Sequence, residues 1–366
     1  MQPHTRMSAQ GCARSNERQA QVFIPVVLSA AKDLTPAARP VSDRPVKSFA
    51  ALGMTRMSVG DILEVLSVQG ATEQAISIQH NPENKPMSYE TIVVKPIAGA
   101  LGAQVEGADL RRPLDNRTWS EIHRAFLEHQ VIYFRDQDLD PDQLTAFGRR
   151  FGEPNVYPFV AGIEGYPHLF EIRKEPEQVR NFGGNWHSDS TYLEKPPLGT
   201  MLYCKEVPAY GGDTLIANQY LSYEALSDGM KKLLDGVTGI YSAGLKRYGG
   251  RSDGHGPIKL QNTENASRIE AEHPVVRTHP ETRRKALYVN NTHLVRFKDM
   301  TEAESEPLID WLQNHSVRPE FTCRIRWESG TVGIWDNRCV QHFAVNDYTG
   351  HRRVMYRMTV GPELPA

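Results

Sequence analysis

From residue 87 onward, short apolar runs alternate with polar, glycine-rich breaks. "ETIVVKPI" predicts a strand, and "GALGAQVEGADL" predicts a glycine-rich turn leading into a second short one. "TWSEIHRAFLEHQ" then changes to a helical period, with Trp119, Ile122, Phe126 and Leu127 on one face as core residues. Its start carries Thr118-x-x-Glu121, the pattern of a capping box. "VIYF" at 131–134 reads as a short buried strand. Asp140, Pro141 and Asp142 open a second helix bearing Leu144, Phe147 and Phe151.

Beyond residue 185 short strands dominate: "GTMLYCKEV", "DTLIAN", "TGIYSA", "HPVVRTH", "ALYVN", "FTCRIRW", "GTVGIWD" and "RRVMYRMTV". Helical inserts interrupt them around 219–235 and 301–315, the latter with a capping box, Thr301-x-x-Glu304. Many short strands without a βαβ rhythm predict a mainly β fold with flanking helices, an antiparallel sandwich or barrel. Residues 246–272 form a long polar, glycine-containing stretch, either a mobile lid or a disordered loop.

Residues 1–86 lack this punctuation. They hold Pro and Ser clusters, scattered Arg and Lys, and apolar pieces such as "FIPVVLSAA" without a sustained period. They are expected to be a disordered or spurious N-terminal extension, with the functional domain spanning 87–366.

Composition narrows the class. Hydrophobic residues make up 39% and charged residues 23%, and the formal net charge is −2. No apolar run is long enough to span a membrane, and the small net charge offers no global attraction to nucleic acid or to an anionic membrane. Cys12, Cys204, Cys323 and Cys339 have no C-x-x-C spacing, which suits reduced thiols and a cytoplasmic location. Cys339-x-x-His342 is no zinc half-site if it lies on a strand, because positions three apart face opposite sides.

The chemistry concentrates in "NWHSDSTYLEKPP". On a strand, His187 and Asp189 would project from one face and present a nitrogen and an oxygen ligand. His342, in "WDNRCVQHFAVNDY" after a clear strand, is the best third ligand. Two imidazoles and a carboxylate leave open positions on an octahedral ion, which suits non-haem Fe(II) rather than tetrahedral zinc. Eleven residues beyond His342 comes Arg353, and four further Arg357; on a strand these share a face with Met355, opposite Arg352. Paired N–H donors suit a guanidinium to carboxylates and sulfonates, and two buried ones are costly unless anions meet them. An H-x-D pair alone is more often a surface ion pair or a capped turn, and a lone interior Arg usually meets a structural carboxylate. The conjunction of the H-x-D pair, the distant His after a strand and the Arg at +11 favours the metal reading.

"NWHSD", "GGDT", "WDNRCVQH" and "RRVMYRMTVG" resemble the taurine dioxygenase (TauD/TfdA) family of Fe(II)- and 2-oxoglutarate-dependent dioxygenases, in order, from about residue 90 to the C-terminus. The resemblance implies a double-stranded β-helix (jelly roll, cupin-like), with His187, Asp189 and His342 on iron. It implies Thr214 and Arg353 on the distal carboxylate of 2-oxoglutarate, and Arg357 on the anionic end of the substrate. O2 is the other co-substrate, and succinate and CO2 are products. Taurine-specific members carry a His and a Tyr after "FGE" and an Asn four positions before the metal-binding His. Here the stretch is "FGEPNVYPFV", with Tyr157 and Val160, and residue 183 is Gly. These departures put taurine in doubt, and Tyr157, Gly183 and Ser190 are the candidate substrate contacts. "GIEGYPHLFEIRKE", "DSTYLEKPP", "HPVVRTHP" and "ALYVNNTH" resemble the aryloxyalkanoate dioxygenase branch. The expected substrate is a sulfonate, alkyl sulfate or aryloxyalkanoate oxidised at a carbon next to a heteroatom. A homo-oligomer with no nucleic-acid or membrane partner is expected. Two other readings stay open, a zinc-dependent hydrolase and a non-catalytic metal-binding jelly roll.

Overall fold

The computed structural model describes residues 88–244 and 258–365. The expected extension 1–86 and residues 246–257 of the lid candidate lie outside the described residues.

β1 (Val93–Pro96) pairs antiparallel with β2 (Ala103–Glu106), and helix α1 (Asn116–His129) leads to β3 (Val131–Phe134). The helix starts earlier than Thr118 suggests. Its cap is Asp115, whose Oδ1 accepts the N–H groups of Arg117 at 2.9 Å and Thr118 at 3.0 Å. Thr118 gives its own hydroxyl to that carboxylate. An ionised aspartate at a helix N-terminus outcompetes the hydroxyl three residues on. Glu121 is freed for another task, accepting the N–H groups of Glu90 and Thr91 at 2.9 Å and fixing the start of β1.

Helix α2 (Pro141–Arg149) has the expected opening, with Asp140 and Gln143 in a reciprocal capping box. Two strands not read from the sequence follow, β4 (Pro154–Asn155) and β5 (Phe170–Lys174). β6 (Pro197–Glu206) and β7 (Thr214–Asn218) are where expected, and the insert near 219 is two short helices, α3 (Gln219–Glu224) and α4 (Asp228–Leu234). β8 (Thr238–Ser242) precedes the undescribed segment. Residues 258–272, expected as loop, instead include a 3-10 turn (Thr263–Arg268) and the start of β9 (Glu270–Pro274). "HPVVRTH" is split at Val275 between β9 and β10 (Val276–Thr278), and β11 (Lys285–Leu287) and the unexpected β12 (Leu294–Phe297) follow. Helix α5 (Glu302–Ser316) has the capping box at Thr301 and Glu304. β13 (Thr322–Ile325), β14 (Val332–Asp336), β15 (Val340–Ala344) and β16 (Arg353–Pro362) complete the chain.

The result is mainly β with flanking helices. The largest sheet runs β1-β2-β3-β14-β6-β16-β4, with β5 also on β16, and a second runs β13-β7-β15. Alternation along β6 shows how the core is built. Met201 and Tyr203 face α1 and α2 with Ile122, Phe126, Leu144 and Phe147. Leu202 and Cys204 face the opposite way, in one cluster with Ile216, Ile325, Trp335 and Val340. The site opens from this second, inter-sheet face. Cys204, Cys323 and Cys339 are buried and form no disulfide among the described residues.

Glu121→Ala would strip the acceptor from two backbone donors, and should cost about 1–3 kcal/mol of unfolding free energy in urea titrations. Although burial acts to raise the Glu121 carboxyl, its hydrogen bonds from residues 91–92 hold it below the ordinary glutamate value. The gap to wild type should therefore be full above pH ~4.3 and shrink as pH falls through the depressed folded value.

Candidate metal centre

Two backbone hydrogen bonds bring the site together. The N–H of His342, within β15, donates to the His187 carbonyl at 2.8 Å, and the N–H of His187 donates back to the His342 carbonyl at 3.1 Å. Residues that exchange both bonds across an antiparallel pair direct their side chains to one face. The two imidazole rings accordingly meet with centroids 4.1 Å apart.

His342 follows the strand β14, as expected, and itself lies within β15. One expectation is corrected here. His187 is an isolated bridge and Asp189 lies in the turn that follows, with Ser190 at φ 51°, so no regular strand covers 187–189. The Ser188 hydroxyl fastens that turn by donating to the Val340 carbonyl at 2.7 Å. Asp189 still reaches the rings: Oδ1 lies 3.4 Å from His187 Nε2 and Oδ2 lies 3.7 Å from His342 Nε2.

The protonation chemistry suits a cation. His187 Nδ1 is 2.7 Å from the Asn185 carbonyl, so that nitrogen carries the proton and Nε2 presents its lone pair. Burial, then the neighbouring His187, push the His342 imidazole well below the usual histidine range, which keeps it neutral. Burial would raise the Asp189 carboxyl, but Arg357, His342 and His187 hold it well below the ordinary range, hence ionised. Thr200 Oγ1 donates to Asp189 Oδ2 at 2.5 Å, and Asn337 donates to Thr200 at 2.9 Å. One carboxylate oxygen and two imidazole nitrogens, within 4.8 Å of one another and all buried, fit a divalent non-haem iron.

The arginines lie on β16 as the spacing predicted: Arg353 and Arg357 are buried, while Arg352 faces out. Arg357 Nη2 is 2.5 Å from Asp189 Oδ1, and its guanidinium is 5.4–5.8 Å from the rings of Phe170, Tyr157 and Phe182. Tyr157 therefore belongs with Arg357. Ser190 donates to the Tyr192 hydroxyl at 3.3 Å. Gly183 is a turn residue at φ 81°, where a Cβ would lie 3.5 Å from His187 Cε1, so only a glycine takes that backbone easily beside the ligand. Gly212, at φ 72°, presses on Arg353, where a Cβ would meet Cδ at 3.0 Å. The Thr214 hydroxyl is on the same sheet face as His342, by the register of β7 on β15, and accepts the Trp327 indole N–H at 2.9 Å. Three buried residues near the site were not read from the sequence: Thr200, Asn337 and Lys174.

A second set, His279, Asp336 and Cys339, also lies close together. Its polar atoms are already engaged. His279 Nε2 meets Asp336 Oδ2 at 3.0 Å, and its Nδ1 accepts the N–H groups of Glu281 and Thr282. Arg338 grips both oxygens of Asp336 at 2.8 Å. This is a structural ion network.

Residues 94–359 match the Taurine catabolism dioxygenase TauD, TfdA family, and the chain belongs to that family. An alpha-ketoglutarate-dependent sulfate ester dioxygenase of Pseudomonas putida is 36% identical over 277 residues, covering 74% of this chain and 90% of the relative. An alkylsulfatase of Acinetobacter baylyi is 34% identical, covering 75% and 86%. An (S)-phenoxypropionate/alpha-ketoglutarate-dioxygenase of Sphingobium herbicidovorans is 29% identical, covering 73% and 94%. A solved taurine dioxygenase of Burkholderia xenovorans is 35% identical with a TM-score of 0.64, covering 76% and 91%.

Arg338→Met would leave Asp336 and Glu363 without their buried partner, and is expected to lower unfolding free energy by about 3–5 kcal/mol. Metal stoichiometry of the folded fraction should not change; lost metal would make the second cluster a ligand set.

Proposed function

We propose that the chain is an Fe(II)- and 2-oxoglutarate-dependent dioxygenase that hydroxylates an anionic small molecule at a carbon next to a heteroatom, with alkyl sulfate esters and sulfonates foremost. The buried donor set of His187, Asp189 and His342 carries the reading. In support, two relatives above 30% identity are a sulfate ester dioxygenase and an alkylsulfatase, whereas the phenoxypropionate enzyme is at 29%. A zinc hydrolase would leave Arg353, buried with its Nε unpartnered, without a task.

Iron with O2 and 2-oxoglutarate supplies the oxidising power, releasing succinate and CO2. The chain supplies position. Arg353 and Thr214, on β7, hold the distal carboxylate of the keto acid, and Arg357 meets the substrate anion amid Tyr157, Phe170 and Phe182. Gly183, Tyr157 and Ser190 border the substrate. When the hydroxylated carbon bears a sulfate ester, its new hydroxyl loses a proton, a C=O bond forms, and the C–O bond to sulfate breaks with its electron pair. The products are an aldehyde and sulfate. The two main sheets form the walls of a double-stranded β-helix in this reading. We place the enzyme in the cytoplasm as a homo-oligomer without nucleic-acid or membrane partners. Among the described residues no helix is long and apolar enough to cross a membrane.

Succinate release with Fe(II) should be stimulated by medium-chain alkyl sulfates more than by taurine or 2-phenoxypropionate; stimulation by none of the panel would remove the substrate class. His342→Ala should weaken Mn(II) binding, followed by EPR under anoxia, at least about tenfold. Arg357→Ala should raise the substrate dissociation constant about tenfold or more while 2-oxoglutarate affinity changes little. Equal loss of both would reverse the arginine assignments.

A further inference from the structure

β5 pairs with β16 in a register that places Lys174 opposite Arg353, Ile172 opposite Met355 and Phe170 opposite Arg357. Directly paired residues of antiparallel strands share a face, so Lys174 stands on the face that carries both buried arginines. It is 1% exposed. Its ammonium lies 4.1 Å from the Tyr348 ring centroid, and the Arg353 guanidinium is 5.9 Å from the same ring. Lys174 Nζ has no hydrogen-bond partner among the described residues, and neither does Arg353 Nε.

This arrangement works against the fold. Like charges directly opposed across a strand pair repel, and a buried ammonium with only a ring face for company has lost its water without regaining hydrogen bonds. Methionine would fill the space without either cost. Arg357 differs, because Asp189 meets it. Among the described residues the Arg353 rung holds two cations and no carboxylate within ion-pair reach, next to the turn where Gly212 packs closely on Arg353 and Tyr348. A bound anion relieves both costs at once.

We propose that Lys174 is a second cation of the keto-acid site and donates to the distal carboxylate of 2-oxoglutarate together with Arg353. The proposal rests on the dioxygenase reading above and adds a residue to it. It explains why an alternating strand turns a lysine inward at its last position.

The test compares full-length wild type with Lys174→Met and Lys174→Arg, loaded with Mn(II) under anoxia, by calorimetric titration with 2-oxoglutarate and with 2-oxopentanoate, which lacks the distal carboxylate. Lys174→Met should weaken 2-oxoglutarate binding about ten- to a hundredfold, the range of a hydrogen bond to a charged group. It should leave 2-oxopentanoate within about twofold and raise the urea midpoint, because an unpaired buried charge is gone. Lys174→Arg should recover part of the preference for 2-oxoglutarate. Unchanged 2-oxoglutarate affinity in Lys174→Met, equal loss of both keto acids, or failure of that variant to fold would overturn the role of Lys174 alone. Wild-type protein that binds 2-oxoglutarate no better than 2-oxopentanoate would overturn the dioxygenase reading and this inference with it.

Discussion

A single β-bridge between His187 and His342 is the constraint on which the centre depends. It joins a loop after β5 to a strand of the smaller sheet, residues far apart in sequence, by two backbone hydrogen bonds. Backbone bonds of this kind are insensitive to side-chain identity, so the convergence of the rings is set before any ligand takes part. Asp189 needs more help, because it sits in a turn. Ser188 ties that turn to Val340, and Thr200 holds the carboxylate from the neighbouring β6.

The ion network around Asp336 buttresses the same bridge. Asp336 ends β14, Val340 begins β15, and the connection between them contains Arg338 and Asn337. Arg338 is clamped by Asp336, Glu281 and Glu363. Asn337 hands the rigidity on, donating to Thr200, which donates to Asp189. Two hydrogen bonds thus run from the residue next to Arg338 in the chain to a candidate iron ligand. Such support keeps a ligand within the narrow geometry that metal chemistry requires.

Charge is distributed unevenly over the face that surrounds the site. Lys174, Arg353 and Arg357 are buried there, and Asp189 is the one carboxylate that the described residues bring within ion-pair distance of any of them. A formal net charge of −2 conceals this local excess of cations. Burial pushes the Lys174 ammonium and the Arg353 guanidinium below their ordinary values, which is the cost of holding charge in such a place. That cost is tolerable where small anions are the cargo. It also explains how a chain with no overall attraction to anions can select them.

The sequence made much of this legible, and its failures are local. The +11 and +15 spacing from His342 located both arginines, because ten residues of unbroken strand, β16, preserve the alternation. The H-x-D spacing pointed to two residues that do converge with His342, but through a bridge and a left-handed Ser190 rather than a regular strand. Thr118-x-x-Glu121 satisfied a capping pattern that Asp115 pre-empted, because a local motif cannot show that Glu121 is wanted by distant backbone donors. β5 was missed for a different cause. In "FEIRK" the inward positions are Phe, Ile and Lys, and a lysine at an inward position disguises a buried strand as an exposed end. Polar residues break hydrophobic alternation where a site needs them, so a segment that periodicity misses is the one that brings a third buried cation to the face of the two arginines.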